Sequence, residues 1–406
     1  HGSHGLIVDD GGDAPGQVGD DAGAGSLPLS SEQPTSTAAV AVNPIRPATT
    51  RFIDLPFVHA SPRWRRYGEV KTGQMATDPK LWPHSVGDHL YGAETVRSFT
   101  VDERRARLAR RHFLSEHATS IGAVTSDLVG LHSTDPATPY LTLWARLPGF
   151  AVADLDAELY QRRSLVKHLA MRRTLWMVRT EDLRLIQSAA SDRVADTERR
   201  RLIADAEKAG ITADGHTWLD AAGVAVLKHL AEHGEASAKE LRAALPELAG
   251  SHDYAPGKRW GGETPLAPRV LTVLSVRGDI VRGRNDGGWT NSRPRWVTMA
   301  DWLGTAVDAE EPDVARAELV RRWLRTFGPA TVTDIKWWFG NTLTWARSAL
   351  RDIGAVEVDL NGVAGVALSD DLESEPPAEP WAALLPALDV TTMGWYDRDW
   401  YVGAHR

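Results

Sequence analysis

A mainly α-helical protein carrying small β-hairpins is predicted by three observations. First, Gly234-Glu235-Ala236-Ser237-Ala238-Lys239-Glu240-Leu241 and Gly328-Pro329-Ala330-Thr331-Val332-Thr333-Asp334-Ile335 repeat one another: Gly, Ala, hydroxyl, carboxylate and aliphatic side chains fall at matching positions. Each reads as a turn leading into a capped helix. Second, an apolar-periodic helix precedes each copy, through Val224, Leu227 and Leu230 in one and Leu319, Trp323 and Leu324 in the other. Third, each copy runs on through a helical stretch to a hairpin. In the last copy Val356, Val358 and Leu360 alternate with polar residues, Asn361-Gly362 supplies a positive-φ turn, and Val363 to Leu368 returns. Three helices and a hairpin make a winged helix, so two such modules are predicted on pattern alone.

The middle copy gives its hairpin as Ile280-Val281-Arg282, a turn at Asn285-Asp286-Gly287-Gly288, and a return through Trp289-Thr290. Further upstream, Thr100-Val101-Asp102-Glu103 has the form of a capping box, which predicts a helix to about His117. Val124, Leu128 and Leu131 keep helical spacing up to His132, and Asp135-Pro136 starts another helix. Residues 1–50 are rich in Gly, Ala, Ser, Pro and Asp and are expected to be a disordered extension. The opening His1-Gly2-Ser3-His4 looks like a remnant of expression, and 51–98 form an irregular N-terminal extension with no assigned role.

Composition excludes several functions. No apolar run approaches the roughly 18 residues that a membrane span requires. The chain has no cysteine, which rules out disulfides, thiolate nucleophiles and cysteine-ligated zinc. Its histidines, among them His112, His117, His216, His229 and His252, lack the spacing of a His-Glu-x-x-His metal motif. A cytoplasmic protein is expected. The net charge of -8 runs against binding to phosphates, but the charge is segregated. Acidity concentrates in Asp9 to Asp21 and Asp370 to Glu379, whereas Arg104 to Arg111 and Arg162 to Arg201 are arginine-rich.

Several segments carry a family likeness. Leu131-His132-Ser133-Thr134-Asp135-Pro136 runs on to Trp144-Ala145-Arg146. A basic stretch follows, from Arg163-Ser164-Leu165-Val166-Lys167-His168 to Met171-Arg172-Arg173-Thr174-Leu175-Trp176. Leu384-Leu385-Pro386-Ala387-Leu388-Asp389 and then Met393-Gly394-Trp395-Tyr396-Asp397-Arg398-Asp399 end the chain. In this order the segments resemble the AlkZ/YcaQ-type winged-helix DNA glycosylases over roughly residues 100–406. The resemblance implies a third, more divergent module, hence three tandem winged-helix (helix-turn-helix) modules at 99–210, 211–305 and 306–406.

It also implies a site. The family places Gln-x-Gln or Gln-x-Asp before Asp-Pro, and those positions fall on His132 and Thr134. His132 is the candidate acceptor of a water proton, Thr134 orients that water, and Asp135 adds a negative field. The structural alternatives are a helix-capping Asp135 and a histidine hydrogen-bonded at a helix end. Candidate DNA contacts are Arg146, Arg162, Arg163, Lys167, His168, Arg172, Arg173 and Trp176, with Arg282 and Arg284 on the middle hairpin. The alternative for the basic stretch is a solvated surface. Where the family reads Met-Arg-Gly-Thr-Leu-His, this chain has Arg173 for Gly and Trp176 for His, and the Trp either stacks on a base or fills the core. Trp337-Trp338-Phe339 invites a stacking role too, but at least two of the three are expected to be buried.

The implied activity is monofunctional hydrolysis of the N-glycosidic bond of alkylated or bulky purine adducts. N7 lesions, crosslinks and natural-product adducts handled in self-resistance are the substrates in view. The partner is double-stranded DNA, the protein is a monomer associated with the nucleoid, and neither cofactor nor metal is needed. A positively charged purine leaves readily, so the enzyme has chiefly to stabilise an oxocarbenium-like sugar and place a water. Tandem winged helices equally serve a non-catalytic DNA-binding protein or regulator, and a protein that sequesters a DNA-reactive small molecule is a third class.

Overall fold

The computed structural model describes residues 96–254, 262–305 and 307–403. The expectations for 1–50 and for most of 51–98 lie outside the described residues. Every element below belongs to one contact-defined unit, Ala93–Arg406. No described helix is long and apolar enough to cross a membrane.

One order of elements occurs three times: helix, short strand, two helices, hairpin. After α1 (Val101–Arg111), the first round comprises α2 (Ile121–Asp127), β1 (Leu131–His132), α3 (Thr138–Trp144), α4 (Val152–Tyr160), β2 (Leu165–Leu169) and β3 (Leu175–Arg179), with sheet order β1-β3-β2. A short α5 (Leu183–Ile186) and a π-helical turn, Gln187–Ser191, lead into α6 (Asp192–Lys208). The second round has α7 (Gly215–His233), β4 (Ala236–Ser237) and α8 (Ala238–Ala244). An added hairpin, β5 (Ser251–Tyr254) with β6 (Gly262–Pro265), precedes α9 (Ala267–Arg277), β7 (Ile280–Asn285) and β8 (Pro294–Thr298), in sheet order β4-β8-β7. The third begins beyond α10 (Met299–Leu303). It holds α11 (Pro312–Phe327), α12 (Val332–Phe339), α13 (Leu343–Asp352), β9 (Val356–Asp359) and β10 (Ala364–Ala367), and α14 (Asp399–Val402) follows. A single bridge, Ala330 to Val366, stands where the other rounds have a first strand.

Local chemistry explains the repeat. Ser237 with Glu240, and Thr331 with Asp334, each form a reciprocal capping box that satisfies free amides at the start of α8 and α12. In the last hairpin Asn361 and Gly362 take φ values of 58° and 89°, the two positive values a tight turn between twisted strands demands. Other expectations are corrected. α1 stops at Arg111 because Phe113 turns to φ 57°. Its box is half-formed: Thr100 accepts from the Glu103 amide at 3.2 Å, while the Glu103 carboxylate pairs with Arg97. The return strand of the middle hairpin is β8, since the turn runs on until the Asp286 amide meets the Arg293 carbonyl at 2.7 Å. The β5–β6 hairpin was not anticipated.

One apolar core joins the first and third rounds, bringing Leu131, Trp176 and Met177 together with Trp323, Phe327, Trp338 and Phe339. The second round has its own core around Leu219, Val226, Leu271 and Trp296. The chain beyond β10 closes the first core through a polar cluster. Arg146 and Asp389 are both 0% exposed and meet in a two-pronged ion pair, Nη1 to Oδ2 and Nη2 to Oδ1 at 2.8 Å each. Thr142 donates to Asp389 at 2.9 Å, and Arg146 also reaches Thr391 at 2.9 Å and the His112 carbonyl at 2.9 Å. Burial alone would raise the Asp389 carboxyl, but Arg146 and these hydrogen bonds hold it below the usual range. Arg146 is therefore part of the core, its side chain enclosed with Asp389 and not at the surface where a DNA contact was expected.

Removing one partner of a buried pair leaves the other charge uncompensated. Arg146→Met is expected to cost about 3–5 kcal/mol in urea unfolding, and Arg146→Met with Asp389→Leu is expected to recover much of that loss. Protons provide a second measurement. Burial pushes His112 down to about 3 and His168 to about 4, so both rings stay neutral in the fold while the unfolded chain titrates them near 6.5. The stability these two neutral rings contribute is full above pH 6.5 and is lost as the pH falls from 6.5 towards about 4 for His168 and about 3 for His112, at a limiting ~1.4 kcal/mol per pH unit for each. His168→Gln is expected to make that fall shallower; an unchanged slope would locate the proton uptake elsewhere.

Candidate functional site

His132 ends β1 and stands opposite Trp176 of β3, which in turn stands opposite His168 of β2. Directly opposed residues on neighbouring strands share a face, so the three rings lie along one side of the small sheet. The His132 and Trp176 rings meet edge-on at 5.3 Å, and Trp176 continues to Trp338 of α12 at 5.0 Å. Trp176 is buried, and its indole donates to the Met171 carbonyl at 3.1 Å and to Thr174 Oγ1 at 2.9 Å. It fills the core and is not free to stack on a base. His168 is buried as well, with Nε2 2.9 Å from Gln187 Oε1, which positions the ring inside the protein rather than on a DNA surface.

His132 is 3% exposed, and its Nδ1 has no hydrogen-bond partner among the described residues. The neighbouring Ser133 hydroxyl is equally buried and equally unpartnered. Burial lowers His132 to about 4, helped by the positive charge of Arg172. At neutral pH the ring is therefore an uncharged group that can accept one hydrogen bond and donate another. Thr134 is tied down: its Oγ1 accepts from the Leu175 amide at 3.2 Å. Asp135 is exposed, and its Oδ1 accepts from the Ala137 and Thr138 amides at 2.9 and 3.2 Å, so it caps the approach to α3. The charge felt by His132 is that of Arg172, not of Asp135.

Arg172 and Arg173 occupy the tight turn between β2 and β3, at φ 55° and 58°. The left-handed conformation costs an ordinary residue about 1–2 kcal/mol. That is a physical reason for the family's glycine at the position of Arg173. The Arg172 guanidinium lies 4.1 Å over the ring of Trp337 and 3.8 Å from Met393 Sδ, while its Nε is buried without a partner. Burial and the nearby Arg398 push it down to about 10. Gly340, at φ 63°, lets α12 approach: a Cβ there would sit 3.0 Å from the Arg172 backbone. Trp338 and Phe339 are buried, and Trp337 is the half-buried member of its trio.

The remaining candidates are dispersed. Arg173 pairs with Glu198 at 2.7 Å, and Arg162 is exposed and pairs with Glu158 at 2.7 Å. Arg163 donates to the Trp302 carbonyl at 2.6 Å and lies 4.4 Å over that indole ring, so it fastens β2 to α10. Lys167 is buried; Arg282 is half-buried and Arg284 exposed on β7. The structure thus brings His132 and Arg172 together and leaves the other basic residues outside that centre. It adds Ser133, Trp337 and Met393, which were not among the candidate site residues. Each had a weak signal, Ser133 as the middle residue of the triplet, Trp337 in its aromatic trio and Met393 in the C-terminal segment, but only the packing joins the last two to Arg172.

The neutral imidazole and the free hydroxyl are suited to hold water or a sugar hydroxyl. The Arg172 charge suits a phosphate oxygen better than a sugar cation. Residues 125–406 match the model of a protein family described as DNA glycosylase AlkZ-like. No curated protein matches the chain. Among solved structures, the Streptomyces sahachiroi DNA glycosylase AlkZ is similar: TM-score 0.53, 20% identity, covering 69% of this chain and 73% of that one. At that identity the likeness is one of fold. The family match spans well over half of the sequence and takes in His132, Arg172 and the C-terminal segment whose Met393 meets Arg172, and on that match the chain belongs to the AlkZ-like DNA glycosylase family.

Proposed function

We propose that this protein hydrolyses the N-glycosidic bond of purines alkylated at N7, including bulky natural-product adducts and crosslinks, in double-stranded DNA. The observation that carries the reading is the buried, unpartnered Nδ1 of His132, at the position where the family has a glutamine. A glutamine amide and a neutral imidazole each offer both a hydrogen-bond donor and an acceptor, though the amide carries one more N–H. His132 with Ser133 holds the attacking water against the sugar, and Arg172 holds a flanking phosphate. An N7-alkylated purine already carries the positive charge that makes it leave, so water placement suffices. The three rounds of helices and hairpins, at 99–210, 211–305 and 306–406, are read as winged-helix modules. The protein works as a monomer without cofactor, in the cytoplasm at the nucleoid, in repair or self-resistance.

A second reading, a DNA-binding protein that has lost catalysis, is favoured by the 3% exposure of His132. Release of free base from duplex containing N7-alkylguanine separates the two. His132→Ala is expected to lower release about 10²-fold with the fold retained by circular dichroism. His132→Gln is expected to keep most of it. Thr134→Ala is expected to act mainly on stability, by about 1 kcal/mol, since its hydroxyl serves a backbone amide. Unchanged release in His132→Ala would sink the assignment.

The pH profile provides a separate test. Because the ring protonates only near 4, release is expected to be level from pH 5.5 to 8 and to fall as the acceptor is lost towards pH 4. A decline centred at 6.5 would mean that an ordinary, exposed histidine does the work.

A further inference from the structure

Most arginines of the described residues have a carboxylate partner, as Arg107 has Asp371, Arg173 has Glu198 and Arg322 has Asp182. The seam where β2 packs against β7 is different. Lys167 of β2 is 6% exposed, and the hydrogen bond its Nζ makes there, to the Tyr160 hydroxyl, is long at 3.4 Å. Beside it is Arg282 of β7, with Nε buried and unpartnered and its guanidinium 4.8 Å over the Trp296 ring. Arg284, two residues on and exposed, lies 4.9 Å from the centre of the Tyr160 ring, against which Lys167 Nζ also rests at 5.9 Å. The nearby carboxylate, Asp156, takes the Tyr140 hydroxyl at 2.7 Å and makes no ion pair with any of the three among the described residues.

Three cations of graded exposure thus gather at the seam without an ion pair among the described residues, and Asp156 offsets the burial of Lys167 only in part. Burial, with Arg282 beside it, pushes the Lys167 amine down to about 8, and burial pushes Arg282 to about 10. Removing like charges from water without an ion-pair partner is costly, and an oxyanion that takes hydrogen bonds from them relieves the cost. Burial also pushes Tyr160 up to about 12, which keeps its hydroxyl protonated.

We propose that Lys167, Arg282, Arg284 and the Tyr160 hydroxyl form a receptor for one phosphodiester of the DNA backbone, built jointly by the first and second rounds of the fold. The graded exposure, from buried Lys167 to exposed Arg284, opens the receptor to solvent along one side, as a continuous polyanion requires. The proposal rests on the DNA-glycosylase reading and deepens it, by fixing where undamaged backbone is held.

The test is binding of an undamaged duplex across a salt titration, for wild type, Arg284→Gln, Lys167→Met, Lys167→Arg and the double Arg284→Gln/Lys167→Met. Each phosphate neutralised contributes about 0.9 to the slope of log affinity against log salt. Arg284→Gln and Lys167→Met are each expected to lower affinity and flatten the slope by up to about that amount. The double variant is expected to lose no more than one phosphate's worth, and Lys167→Arg to keep the wild-type slope. Arg284 is exposed, so its variant tests the idea even if Lys167→Met unfolds. A wild-type slope in Arg284→Gln and Lys167→Met overturns the proposal. So does a thermal stabilisation by inorganic phosphate or sulfate that Lys167→Met abolishes while duplex binding stays unmoved, since the site would then take a small anion. The duplex is undamaged, so absence of base release would overturn the glycosylase reading and leave this outcome intact.

Discussion

The buried pair of Arg146 and Asp389 is the interaction on which the candidate site depends. It joins the end of α3 to the segment beyond β10, and it is surrounded by Thr142, Thr391 and the His112 carbonyl, so that every charged oxygen and most of the guanidinium is satisfied. A buried pair of this kind adds little stability relative to apolar packing, but it tolerates one geometry. That geometry fixes where the following residues run. Met393 then reaches the Arg172 guanidinium, and the Tyr396 amide meets the Asp334 carboxylate at the start of α12. One ion pair thus sets the position of groups that arrive from three distant parts of the chain.

Charge in this protein is organised by pairing. The acidic residues that follow β10 are taken up by the arginines of α1: Asp371 by Arg107 and Arg111, Glu375 by Arg110. That is how a chain of net charge -8 can still present unpaired cations at chosen places. Arg172 at the site and Lys167, Arg282 and Arg284 at the seam are such places. Their guanidinium and ammonium groups lean on aromatic rings, which offer a cation a weaker partner than a carboxylate and leave its hydrogen-bond donors available.

The site combines strain with neutrality. Two consecutive left-handed arginines make the β2–β3 turn, and the cost is tolerated because α12 packs onto it through Gly340. Burial, with the charge of Arg172, keeps the His132 ring of the same sheet uncharged.

Much of the secondary structure was legible in the sequence. The repeated Gly-to-Ile segments, the caps at Ser237 and Thr331, and the Asn361-Gly362 turn are decided by interactions within a few residues, and local chemistry suffices to read them. The alternative of Asp135 as a cap was legible too, in its place before Pro136. The rest was not, because it depends on which surfaces meet. Arg146 and His168, and Trp176 with core filling as its alternative, were expected to face DNA on the family resemblance, yet each is buried against partners from other elements: Asp389, Gln187 and Trp338. The charge state of His132, the cradle of Arg172 and the unpaired cations at the β2–β7 seam likewise belong to the tertiary structure. Burial and pairing are properties of the packed chain, and no local pattern encodes whether a carboxylate many residues away will arrive to neutralise a given arginine.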